Sequence, residues 1–184
     1  KAAAPEPVDK GVTNFFGNLN DLGVTMNNLL QGKVGDAASD LGRVALNTTF
    51  GVFGIIDVAT PVGLEKHEED FGQTLGAWGA GPGAYVVLPF FGPRTVRDTA
   101  GLVVDSMFMD QVYQVDDVGT RNALLAVRLI DQRADLLKTT NIVETAALDQ
   151  YAFVRDAYLQ RRQYLVHDGN PPEEDPYEGE SGED

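Results

Sequence analysis

The segment FGQTLGAWGAGPGAYVVLPFFGP, residues 71–93, most limits how this chain can fold. It has 23 residues without a charged side chain, and it lies between Asp70 and Arg94. A membrane-spanning helix needs about 20 mostly apolar residues in one unbroken run. Six glycines and three prolines interrupt this stretch. The segment therefore predicts bends and an extended portion instead of one spanning helix.

The chain is acidic, and its charge is unevenly distributed. The formal net charge is −14, and residues 168–184 contain eight acidic and no basic side chains. Acidic surfaces repel the phosphates of nucleic acids, so we predict no nucleic-acid partner. The absence of cysteine excludes disulfides, thiolate catalysis and thiolate zinc sites. We predict no metal site and no cofactor.

Apolar residues recur at helical spacing over most of the chain. The pattern predicts an all-α fold with helices over about 11–31, 34–48, 95–107, 116–140 and 144–166. The helix that begins near Thr95 is expected to bury its apolar positions, which are Val96, Ala100, Val103, Val104 and Met107. The last helix is expected to pack its own apolar stripe on the body, namely Tyr151, Val154, Tyr158 and Leu165.

The length of 184 residues predicts one domain. We expect a flexible segment over 1–10, a helical domain over 11–166 and a disordered acidic tail over 167–184. The one irregular insertion is the Gly/Pro-rich stretch, in which residues 84–91 (AYVVLPFF) favour a strand or hairpin arm. Just before it, GQTLG at 72–76 has the spacing of small residues that permits close backbone approach.

Enzymatic motifs are hard to find in the sequence. GAGPGA at 79–84 superficially fits a dinucleotide fingerprint, but the required strand before it and helix after it are missing. His67 lies in an acidic run, LEKHEED, where a solvated helix start is the simpler interpretation. The three serines lie in no nucleophile elbow. We predict a protein that is not an enzyme.

A second uncharged stretch, VALNTTFGVFGII at 44–56, makes core packing of all the apolar segments difficult. Large exposed apolar surfaces mark a partner or a membrane. The residues alone leave two interpretations open, contact with lipid and packing in the core.

Residues 43–105 resemble the central region of the MlaA (VacJ) family of outer-membrane lipoproteins. The most specific pieces are LNTTFG, GIIDVA, EDFGQTLG, YVVLPFFGP and the Arg97–Asp98 pair. The flanks GVTNFFGNLNDLGVTMNNLLQGK and AYLQRRQYL agree as well, so the resemblance covers about 5–166.

The resemblance implies a helical, ring-like domain in the inner leaflet of a Gram-negative outer membrane, on its periplasmic side. It implies removal of mislocalised phospholipids from the outer leaflet through a polar channel. It also implies two protein partners, a trimeric porin and a soluble periplasmic lipid carrier. The lipid-modified cysteine of the family is not present in this sequence.

The uncharged stretches and the function that the resemblance implies together suggest three groups of candidate residues. Lipid-path and head-group candidates are Arg94, Arg97, Asp98, Trp78 and Tyr85. Membrane-contact candidates are Phe50, Phe53, Ile55, Ile56, Phe90 and Phe91. Hinge candidates are Gly79, Gly81 and Gly83.

A fourth group lies on the last helix. Arg155, Arg161 and Arg162 are expected to form a basic face, separate from the apolar stripe, on which the carrier docks. A simpler alternative is that these arginines offset the dipole at the helix end. For Arg97 and Asp98 the corresponding alternative is helix capping and a local ion pair.

Two other functions compete with phospholipid transport. One is a porin-docking helical scaffold that binds without moving lipid. The other is a lipid hydrolase that uses His67 and neighbouring carboxylates. The sequence leaves the head-group preference, the porin and the energy source open.

Overall fold

The computed structural model of the chain describes residues 5–89, 91–146 and 149–172, and over 134–146 it describes the backbone alone. Helices dominate this part of the chain, so the prediction of a helical fold with one hairpin is confirmed. The elements in order are α1 (Glu6–Leu30), α2 (Val34–Phe50), a 3-10 turn (Thr60–Val62), α3 (Phe71–Ala77), β1 (Tyr85–Leu88), β2 (Gly92–Thr95), α4 (Val96–Val104) with a π-helical turn (Asp105–Met109), α5 (Val118–Ala146) and α6 (Gln150–Val166).

The hairpin occupies the second half of the uncharged stretch. β1 and β2 pair antiparallel, with Tyr85 opposite Thr95 and Leu88 opposite Gly92. Pro89 follows the last paired residue of β1, where it removes no ladder hydrogen bond. Phe90 lies outside the described residues. The extended arm predicted over 84–91 is thus the first strand of a hairpin, and Arg94 belongs to its second strand.

Side chains at the helix starts fix several boundaries. Asp70 accepts a hydrogen bond from the backbone N–H of Gln73 at 2.8 Å and caps α3. Thr95 accepts one from the N–H of Asp98 at 3.2 Å and caps α4. Helix α1 begins at Glu6 and not at Gly11, so the expected flexible segment over 1–10 is wrong for residues 6–10.

Polar residues fill the interior. Among the described residues, six hydrophobic and fourteen polar or charged residues are buried, whereas 27 large hydrophobic residues are exposed. In α1 the packed positions include Asn18, Asp21 and Asn28, while Met26 and Leu29 are exposed. Helices α1, α2 and α4 are amphipathic, as predicted, but α1 turns its polar side inward.

The expected buried face of α4 is wrong for the same reason. Val96, Ala100, Val103 and Met107 are exposed and Val104 is half-buried, whereas the buried residues are Arg97, Asp98 and Gly101. The stripe of α6 packs only in part. Tyr151 is exposed, while Val154, Tyr158 and Leu165 are half-buried. No helix in the described ranges has the length and apolarity needed to cross a bilayer.

The junction after α6 is ordered by a contact with α2's N-terminal turn. Asp168 forms an ion pair with Lys33, the residue that precedes α2. Residue 168 was predicted to belong to the disordered tail, so that prediction is wrong at this position. Residues 173–184 of the tail lie outside the described residues.

Helices α3 and α4 approach each other closely at two glycines. A Cβ on Gly101 would lie 2.3 Å from the backbone nitrogen of Gly72. A Cβ on Gly72 would lie 2.7 Å from the carboxylate of Asp98. Close backbone approach at the GQTLG segment is therefore confirmed at Gly72, and its physical basis is the absence of a side chain on both helices.

We expect Gly101→Ala to lower the free energy of unfolding by about 1–3 kcal/mol, because the added methyl group forces the two backbones apart. Equilibrium denaturation of the purified protein in mild detergent measures this. Gly35→Ala in α2 is the matched control, since nothing lies within 4 Å of its added Cβ. That variant should gain up to about 1 kcal/mol from the helix propensity of alanine. Equal effects of the two substitutions would contradict the close-approach explanation.

Candidate functional site

A cavity of about 520 Å³ lies among the helices and the hairpin. Its wall is formed by α1, the 66–70 loop, α3, β2, α4 with its π-turn, α5 and α6. Charged side chains make up much of the wall: Lys66, Glu68, Glu69, Asp70, Arg94, Asp98, Asp105, Asp110, Arg128, Arg161 and Arg162. The cavity is therefore suited to a polar or charged ligand.

A buried charge network joins α3, α4 and α6 at this wall. The Arg162 guanidinium donates to both Asp70 oxygens at 2.6 and 2.9 Å and to Asp98 at 2.8 Å. Arg97 donates to the same Asp98 oxygen at 3.0 and 3.1 Å, and the Tyr158 hydroxyl donates to the other at 2.6 Å. Asp98 thus has two guanidinium partners and one hydroxyl partner, which satisfy a carboxylate removed from water.

The network changes the proton affinity of its members. Burial alone would raise the pKa of Asp98, but the hydrogen bond from Tyr158 and the charge of Arg162 lower it to about 2. Burial likewise opposes the ionised form of Asp70, and Arg162 reverses the effect and lowers its pKa. The pKa of Tyr158 is raised by its burial and by its hydrogen bond to Asp98. Both carboxylates are therefore ionised at neutral pH and Tyr158 is protonated.

A second network fixes the 57–67 segment against α1 and α2. Arg43, fully buried in α2, donates to the carbonyl of Leu64 at 2.6 Å and forms an ion pair with Asp57 at 3.2 Å. Asn47 accepts hydrogen bonds from the backbone N–H groups of residues 58 and 59 at 2.8 and 2.9 Å. Lys66 pairs with Asp21 of α1 at 2.5 Å. These contacts hold the loop that forms one rim of the cavity.

Two charged groups on the wall, Arg94 and Asp105, form no ion pair among the residues that the structure describes. The Arg94 guanidinium has no hydrogen-bond or ion-pair partner in the part of the chain that the structure describes, and its Nε is buried. Within the described ranges, the Asp105 carboxylate accepts hydrogen bonds from neutral donors alone, the N–H of Phe71 and the amide of Asn27. Asp105 opens the π-turn, a distortion that is frequent at functional sites.

Comparison with known proteins assigns the chain to a family. The sequence model of the MlaA lipoprotein family matches residues 1–165. The chain belongs to the MlaA family.

Three relatives support the assignment. The chain is 35% identical over 176 residues to the intermembrane phospholipid transport system lipoprotein MlaA of Shigella flexneri, covering 94% of this chain and 69% of the relative. The same values hold for the MlaA of Escherichia coli K12. The Haemophilus influenzae MlaA is 34% identical over 169 residues, covering 90% of this chain and 66% of the relative.

A solved structure agrees with the fold. It comes from work on the structural basis for maintenance of bacterial outer membrane lipid asymmetry. The match has a TM-score of 0.75 at 32% sequence identity and covers 89% of this chain and 82% of that chain.

The structure of this MlaA family member brings two of the five lipid-path candidates to the cavity. Arg94 and Asp98 line it, whereas Arg97 is buried behind the wall in its pair with Asp98. Trp78 is exposed, and its indole donates to the carbonyl of Leu30 at 3.1 Å. Tyr85 packs edge-to-face against tyrosines 151 and 158 of α6, with ring centroids 5.8 and 6.2 Å apart.

The expected basic face on α6 is wrong for Arg162. This side chain is 11% exposed and neutralised by two carboxylates, because its position faces α3 and α4. Arg161 is 66% exposed and pairs with Glu68, and Arg155 is partly exposed and pairs with Asp156. Of the three candidate arginines on α6, Arg155 and Arg161 are accessible to a partner.

The membrane-contact candidates that the structure describes are all on the surface. Phe50 and Phe53 are 70% and 72% exposed, and Ile55, Ile56 and Phe91 are about half exposed or more. Phe108, which the sequence analysis did not single out, is 73% exposed. The three hinge candidates lie between α3 and β1, where Gly79 and Gly83 have positive φ.

Sequence reasoning missed Asp70, Asp105 and Tyr158 as parts of the site. The sequence did not single out these three residues, but it indicated a polar interior through polar residues at helical spacing inside otherwise apolar helices. In α1 this pattern is Asn18, Asp21, Thr25 and Asn28, all of which are buried. In α1 this polar stripe is the buried face, and the apolar side of the helix is exposed.

We expect Arg162→Gln to lower the free energy of unfolding by about 3–5 kcal/mol, because it leaves buried carboxylates without their counter-charge. Denaturation of the purified protein gives this value. Arg161→Gln, one residue away on a mostly exposed ion pair, should change stability by at most about 1 kcal/mol. Similar small losses in both variants would show that Arg162 is not a structural ion-pair partner.

The low pKa of Asp98 predicts an acid-sensitive contribution to stability. Its folded value of about 2 lies below the usual value of about 3.9 for an unfolded aspartate. The contribution is therefore complete above about pH 4 and is lost as the pH falls towards 2. Asp98→Asn should flatten the dependence of unfolding free energy on pH in this window. The exposed control Asp116→Asn should keep the wild-type slope, and an unchanged slope in Asp98→Asn would refute the assignment.

Proposed function

We propose that this protein is a non-enzymatic phospholipid-transport component of the outer membrane. It takes mislocalised phospholipids from the outer leaflet, passes their head groups through the polar cavity and delivers them to a periplasmic carrier. Membership in the MlaA family supports this proposal, as do the names of two relatives, which describe intermembrane phospholipid transport.

The observation that carries the proposal is the inverted distribution of polarity. Buried polar residues outnumber buried hydrophobic ones in the described chain, and large hydrophobic residues are exposed on α1, α2, α4 and the hairpin. A protein surrounded by water exposes few large apolar patches. The same surface is favourable in lipid, where an apolar exterior faces acyl chains and charges are enclosed.

The exposed apolar residues supply the membrane contact in this mechanism. Phe50 is the last residue of α2, Phe53 and Ile56 follow it, and Phe91 lies at the tip of the hairpin. These short segments can enter the acyl region without a spanning helix. We propose the same role for Phe108 beside the cavity-lining Ser106. The glycines at 79, 81 and 83 let the chain bend between α3 and the hairpin.

The cavity supplies the polar path. A phospholipid that crosses an apolar layer must move its charged head group through a site that replaces water. The charged wall provides such a site, and Arg94, whose guanidinium has no partner among the residues that the structure describes, can bind a phosphate there.

Partner contacts complete the proposal. A trimeric porin and a soluble carrier are the proposed protein partners, with Arg155 and Arg161 as the accessible part of the carrier-docking face. The alternative is a porin-docking scaffold that moves no lipid, and the exposed apolar surface would then be a protein interface. Movement of intact phospholipid distinguishes transport from the scaffold, and release of free fatty acid would indicate a hydrolase.

We expect Ser106→Trp to block transport by filling the cavity. Ser106 lines the cavity, and its side chain makes no hydrogen bond within the part of the chain that the structure describes. The substitution therefore breaks no hydrogen bond there. The full-length protein is expressed in a Gram-negative host that lacks its own family member. A membrane-impermeant amine reagent then labels phosphatidylethanolamine in the outer leaflet. Wild type should lower the labelling, and Ser106→Trp should leave it near the level of the empty host.

Val103→Trp is the matched control. Val103 lies in α4, just before the π-turn that contains Ser106, and it is exposed and does not line the cavity. This variant should therefore lower the labelling as wild type does. Full transport by a stably folded Ser106→Trp protein would contradict passage through this cavity.

A further inference from the structure

Among the described residues of the cavity wall, four of the five lysine and arginine side chains are already neutralised. Each pairs with a carboxylate: Lys66 with Asp21, Arg128 with Asp110, Arg161 with Glu68, and Arg162 with Asp70 and Asp98. A paired cation attracts a further anion weakly, because its charge is largely compensated. These four side chains frame the cavity and are poor candidates for binding a ligand's charge.

Arg94 is the exception on the basic side. Residue 94 is held in β2 opposite Val86, and its side chain reaches the cavity wall. Its buried Nε has no acceptor in the described part of the chain. Burial raises the pKa of both Asp105 and Tyr158, and the charge of Arg94 opposes this rise at each group, so Arg94 interacts electrostatically with both.

Asp105 is the corresponding exception on the acidic side. Its oxygens accept from the Phe71 N–H at 3.0 and 3.2 Å and from the Asn27 amide at 3.2 Å, all neutral donors. No ion pair joins Asp105 to Arg94 or to another cation among the described residues. Burial raises the pKa of Asp105, as does the charge of Asp70, which shows that this carboxylate lacks full compensation.

We propose that Arg94 and Asp105 form a two-point site for a phosphodiester that carries a primary ammonium group, as in a phosphatidylethanolamine head group. This inference rests on the proposed function and names its preferred substrate class. The guanidinium takes the phosphate through charge-assisted hydrogen bonds, and the Asp105 carboxylate accepts N–H bonds from the ammonium.

The two contacts discriminate among head groups. Phosphatidylglycerol offers the phosphate but leaves Asp105 without a cation and adds no positive charge to the cavity. Phosphatidylcholine carries positive charge, but its quaternary nitrogen has no N–H to donate to a carboxylate. Sites that hydrogen-bond a ligand group reject analogues that lack the group, because the partner atom is left unpaired.

The test measures retained lipid directly. The purified protein in mild detergent is incubated with vesicles of equimolar phosphatidylethanolamine, phosphatidylglycerol and phosphatidylcholine, and native mass spectrometry identifies the bound lipid. Wild type should retain phosphatidylethanolamine over each of the others by roughly tenfold, the effect of about one charge-assisted hydrogen bond.

Variants separate the two contacts. Asp105→Asn should abolish the preference while phosphatidylglycerol is still retained, because only the ammonium contact is lost. The fold should tolerate this change, because an asparagine side chain keeps an oxygen that can accept from the N–H of Phe71. Arg94→Gln should reduce retention of all three lipids, and Arg94→Lys should restore part of it.

Matched controls use the same substitutions away from the cavity. Asp116→Asn and Arg133→Gln alter exposed side chains that do not line the wall, and both should keep the wild-type lipid profile. Equal retention of the three lipids by wild type, or an unchanged preference in Asp105→Asn, would overturn the proposal.

A further arm identifies the source of the phosphodiester. Water-soluble glycerophosphoethanolamine should compete with the intact lipid only at much higher concentration, because it lacks acyl chains. Competition at equal concentration would overturn the assignment to a lipid. The two proposals are contradicted by different results. If wild type shows no head-group preference but Ser106→Trp blocks transport, only the head-group inference is wrong. If Ser106→Trp still transports lipid, the proposed transport through the cavity is wrong.

Discussion

The fold depends on one guanidinium placed between two carboxylates. Arg162 of α6 binds Asp70, which caps α3, and Asp98, in the first turn of α4. The lack of a side chain at Gly72 leaves room for this guanidinium, because a Cβ at that position would lie 2.9 Å from it. One side chain thereby determines how three helices meet, and its removal would affect a cap, an ion-pair network and a helix contact together.

Buried ion pairs of this kind contribute little net stability, because desolvation offsets most of their attraction. Their role here is better described as geometric. Most charged side chains of the cavity wall are neutralised by other side chains of the protein, so the protein can fold around a strongly polar cavity. The same compensation leaves Arg94 and Asp105 as the uncompensated charges among the described wall residues, and a ligand with complementary charges can bind them without breaking the frame.

The exterior follows from the interior. Helices that turn polar stripes inward must turn apolar stripes outward, as α1 and α4 do. In water this arrangement would be unfavourable, whereas in the proposed lipid environment it removes apolar surface from water. The proposed membrane contacts, at the end of α2 and at the hairpin tip, are consistent with the many exposed aromatic residues of a protein that has no spanning helix in its described ranges.

The sequence by itself determined the helical class, the bends of residues 71–93, the hairpin and the family, because helical periodicity, glycine, proline and specific motifs act locally. Tertiary structure alone decided which face of each helix is buried. Periodicity reports that a helix has two faces but not which solvent surrounds it, so Val96 and Met107 were assigned to the wrong side. The pairing of Asp70 with Arg162, 92 residues apart, and the isolation of Arg94 arise only when distant helices meet, since an ion pair depends on distance in space.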